Sequence, residues 1–369
     1  MRPIPYFKGL DVARFFAATL VVLAHAHFQL MQLHITWHDN LAIMRQGGIA
    51  VVFFFTLSGF LLTCLGIQEY TRNGSLNSRK FYSRRILRIW PLYYFTVLLC
   101  FFTGLVLLPV FYSSFAAHIP MPVSLLCTLF FIPNYLNANH LTNFGAINGL
   151  WSIGVEELFY VFFPLLFRLY KRVKSFWLIF LAALVTYLLL YRSLHYTKIF
   201  LPLAIVRFLG TYVFHYMLAG AVVGALWMKY RERPKALRWF NGIAGLLGAG
   251  IVFTLAADIN IDVGRTGLLY PLLFAVLILF IAQLPNGLFN NNPLVYFGKI
   301  SYGIYLLHPF VSYFLRALYA GSGLFAKAVN AMPSLYFILL LVLTIGVAHL
   351  SYRWLERRFL KWKEKLVAA

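Results

Sequence analysis

Apolar residues run along the chain in long blocks, at roughly 10–31, 48–67, 91–110, 124–137, 151–170, 175–193, 206–228, 240–257, 266–284, 299–319 and 333–353. Between them lie short polar stretches, several dense in Lys and Arg. An apolar block of about 20 residues is long enough, as a helix, to cross the hydrocarbon layer of a bilayer. The basic stretches 72–88, 168–174, 229–238 and 353–365 belong on the inner side, because Lys and Arg accumulate in loops that are not translocated. Consecutive inner stretches must be separated by an even number of crossings. Three blocks lie between Arg88 and Lys171, so one of them is not a full span. The weakest is 124–137, which is short and interrupted by Pro133-Asn134.

The pattern therefore predicts an all-α polytopic membrane protein with ten transmembrane helices, both termini on the cytoplasmic side, and a short re-entrant or interfacial segment near 124–137. Only Arg45, Arg192, Lys198, Arg207, Arg265, Arg316 and Lys327 of the 32 Lys and Arg fall away from inner loops, a bias that favours this orientation over its inverse.

Composition agrees, with 62% hydrophobic and 11% charged residues over 369 positions and a mean hydropathy of +0.78; a soluble core does not need such runs. The net charge of +22 fits inner loops and anionic headgroups of membrane lipids rather than nucleic acid. Cys64, Cys100 and Cys127 sit in apolar blocks without CxxC or metal-ligand spacing and read as structural filler. Arg2, Lys8 and Arg14 followed by apolar residues and Ala24-His25-Ala26 resemble a cleavable leader, but the apolar block continues to Met31, at spanning length. No repeat and no long polar stretch appears, so residues 1–369 are expected to form a single membrane domain with no appended soluble domain. The absence of paired interrupted helices weighs against common transporter folds.

Ionisable groups inside apolar blocks mark function, because burying them in a bilayer is expensive. Arg14 and His25 share the first block, about 16 Å apart along a helix axis; His25 is a candidate catalyst and Arg14 lies nearer the inner surface. Arg85 and Arg88, just ahead of the third block, are one helical turn apart and present two guanidiniums on one face, suited to phosphate oxygens. The plainer alternative is a topology signal binding lipid headgroups. Glu156 follows Trp151 by about a turn and a half, at the expected depth of His25, where it can orient the imidazole, bind a hydroxylated substrate or simply pair with an Arg such as Arg207. Ser301 and Tyr302 open a crossing near the inner surface, with His308 deeper along it; they suit either cofactor contact or helix packing. Ser58-Gly59, in a phenylalanine-rich block, reads as a close helix contact rather than a nucleophile. His27, His34, His38, His118 and His140 read as solvated outer-loop residues. No nucleophile elbow, Walker loop or HExxH occurs, which points to chemistry without a metal.

Together these pieces resemble the integral membrane acyltransferase-3 family, whose members O-acylate glycans and other acceptors at the cell envelope. The resemblance rests on Arg14-x10-His25, the Phe-x-Leu-Ser-Gly-Phe run ending at Phe60, Arg85-x-x-Arg88, Ile132-Pro133-Asn134, Trp151-Ser152 with Glu156, and Ser301-Tyr302-Gly303. It implies ten transmembrane helices in the bacterial inner membrane and an acyl-CoA donor, by default acetyl-CoA, held from the cytoplasm. It also implies a glycan or lipid-linked glycan acceptor on the far side. On this expectation Arg14, Arg85 and Arg88, with Ser301 and Tyr302, bind the donor, its pantetheine arm spans the distance between Arg14 and His25, and His25 and Glu156 carry the catalysis. Some relatives carry an additional extracytoplasmic domain, and this chain is expected to be a stand-alone form. The alternative is a transporter or flippase for a glycan or amphipathic solute, with Arg14, His25 and Glu156 lining its path. Acceptor identity and oligomeric state are not legible.

Overall fold

The structure is a computed structural model that describes residues 3–37, 42–104, 121–139, 141, 145–196, 202–232, 248, 250 and 267–368. Most of the block 240–257 lies outside the described residues, as do His38, His118, His140, Lys198, Arg265 and the side chain of His195.

Every described regular element is helical. In chain order they are α1 (Lys8–Gln32), α2 (Gly47–Asn73), α3 (Ser78–Phe102), α4 (Met121–Leu129), α5 (Pro133–Ala138), α6 (Gly145–Asn148), α7 (Trp151–Arg168), α8 (Tyr170–Val173), α9 (Phe176–Tyr196), α10 (Leu203–Leu209), α11 (Phe214–Tyr230), α12 (Leu269–Gln283), α13 (Pro293–Lys299), α14 (Ser301–Gly321), α15 (Gly323–Ala331), α16 (Ser334–Ser351) and α17 (Arg357–Ala368). Among the described residues six stretches are long and apolar enough to cross a membrane: Lys8–Gln32, Gly47–Asn73, Ser78–Phe102, Phe176–Ser193, Leu203–Tyr230 and Ser334–Trp362. The sequence pattern predicts ten. Two of the others, α7 and α14, have the length, but α7 carries Glu156, Glu157 and Arg168 while α14 interleaves His308 and Arg316 with tyrosines. Of the polar residues on these helices, Ser152, Glu156, Tyr160, Ser301, Tyr302 and Tyr305 line the cavity described below.

Helix α2 is the central strut. Of its most apolar window 72% is buried within the protein, against 22% for Phe176–Ser193 and Ser334–Trp362, whose outer faces are left for lipid. Glycines fix its crossing with α11: a Cβ on Gly59 would stand 1.8 Å from the Met217 carbonyl oxygen, and one on Gly220 would stand 1.9 Å from that of Thr56. Backbones this close gain dispersion that apolar side chains cannot supply against lipid, which is equally apolar. Gly59 is thus the helix contact expected of the Ser-Gly pair.

The segment near 124–137 is a broken helix. α4 ends at Leu129, and the turn after it passes through Phe131, whose φ of 59° is costly for a bulky residue. Its ring stacks on Tyr93 at 4.2 Å between centroids, and α5 starts with Pro133 at its first turn. The break seats against α7, where a Cβ on Gly154 would meet both Asn134 Oδ1 and the Phe131 carbonyl at 2.6 Å.

Candidate active site

The basic face is built by the α2–α3 turn. α2 ends at Gly74, φ 71°, whose N–H bonds the Tyr70 carbonyl. Asn77 caps α3 by accepting from the Lys80 N–H at 3.0 Å. Glu69 accepts from the Asn77 N–H at 2.9 Å and pairs with Arg84 at 2.5 Å. With Arg84 committed to Glu69, Arg85 and Arg88 turn to the neighbouring face and line a cavity of about 410 Å³. Arg14 lines it from α1, 3.8 Å from Asp11, whose carboxylate also receives the Tyr6 hydroxyl. Burial and that bond hold the Tyr6 phenol above its ordinary range, so it remains a donor.

Glu156 lines the same cavity. Its Oε1 accepts from Ser58 and its Oε2 from Tyr160, both at 2.8 Å. Ser301, Tyr302, Ser152 and Tyr305 complete the polar lining, and the rest is largely α2 side chains such as Phe54, Phe55 and Leu61. The Tyr302 hydroxyl donates to the Ile89 carbonyl at 3.1 Å, which ties α14 to α3. The Ser301 Oγ and the Arg85 Nε are buried with no partner. Such orphaned donors next to open volume fit a polar, anionic ligand. Among the described residues no three His, Cys, Asp or Glu side chains converge in a metal-binding group.

His25 lies outside the cavity lining. It is exposed, while His308 on α14 is buried at 3%. His25 Nδ1 sits 2.9 Å from the Val21 carbonyl oxygen and 3.2 Å from His308 Nε2. Between this pair and the cavity stands Tyr305, whose ring contacts His308 on one side, 6.2 Å between centroids, and Phe54 on the other at 6.3 Å. Its hydroxyl donates to the Gly149 carbonyl at 3.2 Å and meets the Ser152 hydroxyl at 2.9 Å.

The structure thus gathers Arg14, Arg85, Arg88, Glu156, Ser301 and Tyr302 at one cavity and sets His25 apart from them. It does not pair Glu156 with His25. Both carboxylate oxygens of Glu156 are instead taken by Ser58 and Tyr160, on the wall of the cavity that the arginines line. His27 is not a solvated loop residue either; it lies on α1 with 2% exposure. Ser58, Tyr160 and Tyr305 were missed by sequence reasoning. The i, i+4 spacing of Glu156 and Tyr160 was the available signal; nothing local marked Ser58 as a partner of a residue 98 positions away.

The family model described as an acyltransferase domain matches residues 7–353, nearly the whole chain. The chain belongs to the acyltransferase-3 family. Similar proteins include the O-acetyltransferase OatA of Staphylococcus aureus strain NCTC 8325, 26% identical over 372 residues that make up 95% of this chain and 57% of OatA. OatA of strain COL is equally similar. A second protein of strain COL, named as an O-acetyltransferase, is 26% identical over 385 residues, 96% of this chain and 58% of that protein. The chain therefore spans less than two thirds of the relatives it matches. No solved structure matches it at a significant level. The chain thus carries an acyltransferase domain in which several helices are long and apolar enough to cross a membrane.

Proposed function

We propose that this acyltransferase-3 member moves an acetyl group from acetyl-CoA, bound from the cytoplasm, to a hydroxyl of an envelope glycan or lipid-linked glycan. The observation that carries the reading is the convergence of Arg14, Arg85 and Arg88, from two helices distant in sequence, on one cavity from which α1 runs to an exposed histidine. The guanidiniums take the CoA phosphates. The apolar α2 wall takes the pantetheine arm, and the thioester passes the Phe54–Tyr305 pair toward His25. Eleven helical residues cover about 16 Å, a distance suited to that arm.

In the transfer, His25 removes the proton from the acceptor hydroxyl as its oxygen attacks the thioester carbonyl carbon. The tetrahedral intermediate collapses with cleavage of the C–S bond, and the proton on the imidazole leaves with the CoA thiolate. Glu156, held by Ser58 and Tyr160, acts at the donor end, fixing the cavity wall opposite the arginines. The chain crosses the inner membrane ten times with α7 and α14 among the spans and both termini in the cytoplasm. The family and the relatives named for O-acetyl transfer support the reaction class.

The test is incorporation of label from [14C]acetyl-CoA into membrane vesicles carrying the overproduced protein and endogenous acceptors. Wild type incorporates label and His25→Ala falls to the level of vesicles lacking the protein. Equal incorporation by the variant would move the base elsewhere, and absence of incorporation in folded wild type would return the transporter reading to the front.

A further inference from the structure

We infer that His308 is the positioning residue for His25, holding its imidazole in the tautomer whose Nε2 lone pair is free to receive the acceptor proton. The inference rests on the proposal that His25 is the base.

The chain of bonds starts at Pro309. Proline has no N–H, so the carbonyl of Tyr305, four residues earlier, loses its helical partner. In its place stands His308 Nδ1, 2.7 Å from that oxygen, with the Ile304 carbonyl at 3.3 Å. A carbonyl only accepts, so Nδ1 of His308 carries the proton, and in the neutral ring Nε2 is an acceptor. That Nε2 is 3.2 Å from His25 Nδ1, which also faces the Val21 carbonyl at 2.9 Å. Both neighbours of His25 Nδ1 therefore accept, and His25 Nδ1 is the N–H donor. One assignment of protons satisfies every contact with both rings neutral: Tyr305 carbonyl to His308 N–H, His308 Nε2 to His25 N–H. The remaining nitrogen, His25 Nε2, holds a lone pair on the exposed side chain.

His308 thereby performs the service that a carboxylate performs in a hydrolase triad, orienting the imidazole and accepting from its Nδ1–H as the ring becomes cationic. A neutral partner suits this depth, where a buried carboxylate would carry a large desolvation cost. Pro309, inside the continuous helix α14, thus frees the carbonyl that sets the tautomer of His308, which in turn sets that of His25.

The experiment uses the full chain in lipid vesicles with 15N-labelled histidine. Solid-state NMR of wild type is expected to show His25 as the Nδ1–H tautomer with through-hydrogen-bond 15N–15N coupling to an unprotonated His308 Nε2; His25→Ala assigns the signal by removing it. His308→Leu is expected to abolish the coupling and lower kcat for [14C]acetyl transfer about 100-fold, with KM for acetyl-CoA within about twofold of wild type. His308→Gln, which keeps an acceptor near the Nε2 position, is expected to recover to within about tenfold of wild type. Pro309→Ala leaves both rings in place but restores an N–H to compete for the Tyr305 carbonyl, and is expected to lower kcat about tenfold. An Nε2–H tautomer at His25, absence of the coupling, or His308→Leu turning over within threefold of wild type would overturn the inference. Full turnover by His25→Ala would instead overturn the base assignment, a separate result because the NMR coupling is read without turnover.

Discussion

Removing Arg85 and Arg88 together is the sharpest perturbation of the proposed donor site. The cavity carries three guanidiniums, from Arg14, Arg85 and Arg88, against the carboxylates of Asp11 and Glu156. Asp11 stands 3.8 Å from Arg14 and takes up part of that charge, so Arg85 and Arg88 are the cations most available to phosphate. The double alanine variant turns the local excess from positive to negative. A charge-assisted bond between guanidinium and phosphate contributes about 1.5–3 kcal/mol, and two coupled arginines with Arg14 remaining contribute less than the simple total, about 3–4 kcal/mol. The expected consequence is a rise of about 10²–10³-fold in Kd for acetyl-CoA, measured by calorimetry on detergent-purified protein. Two controls sharpen it. Acetyl-pantetheine, which has no nucleotide phosphates, should bind wild type and variant alike, and raising the salt concentration should weaken acetyl-CoA binding to wild type more than to the variant. A Kd within threefold of wild type in a monodisperse variant would refute the phosphate clamp.

Other consequences are equally accessible. Ser58→Ala and Tyr160→Phe each remove one donor to Glu156 and are expected to lower acetyl transfer about tenfold, while Glu156→Gln, which keeps the volume, should leave the protein monodisperse with reduced transfer; unchanged rates in all three would exclude the carboxylate from the site. Gly220→Val forces α2 and α11 apart and should abolish recovery of monodisperse protein on size exclusion, whereas Gly287→Val, where a Cβ meets nothing within 4 Å, should not. Gly154→Ala pushes the α4–α5 break off α7 and is expected to lower the melting temperature by several degrees, read by nanoscale fluorimetry; an unchanged value would show that the broken helix yields freely. Since Cys64, Cys100 and Cys127 are buried, single cysteines report topology cleanly: Lys327→Cys should react with an impermeant maleimide from outside the cell and Arg79→Cys only after permeabilisation, and the reverse pattern would invert the orientation.

The sequence by itself determined the class of the molecule and the identity of most groups in the cavity. Long apolar blocks dictate membrane helices whatever their neighbours, because backbone polar groups in lipid must bond within their own segment. Arg14 and Glu156 stood out because ionisable groups in apolar blocks are costly, and Arg85 and Arg88 because their spacing puts two guanidiniums on one helix face, although inner-loop topology alone also accounts for that pair. The break at 131–133 was legible in Pro133-Asn134, and the Gly59 contact in the Ser-Gly pair, since both are properties of local backbone chemistry.

Only the tertiary structure decided which of those groups meet. Glu156 is expected beside His25 on a depth counted from Trp151, but its carboxylate is held by Ser58 and Tyr160 at the cavity wall. Partners such as Ser58 for Glu156 and His308 for His25 lie 98 and 283 residues apart. Their pairing is set by the crossing of α2 with α7 and of α1 with α14, and helix crossings are fixed by side-chain and backbone contact across the bundle, for which periodicity within one helix carries no information. The tautomer of His25 depends on such a crossing as well, since the proton it shares is placed by a carbonyl that a proline has freed in another helix.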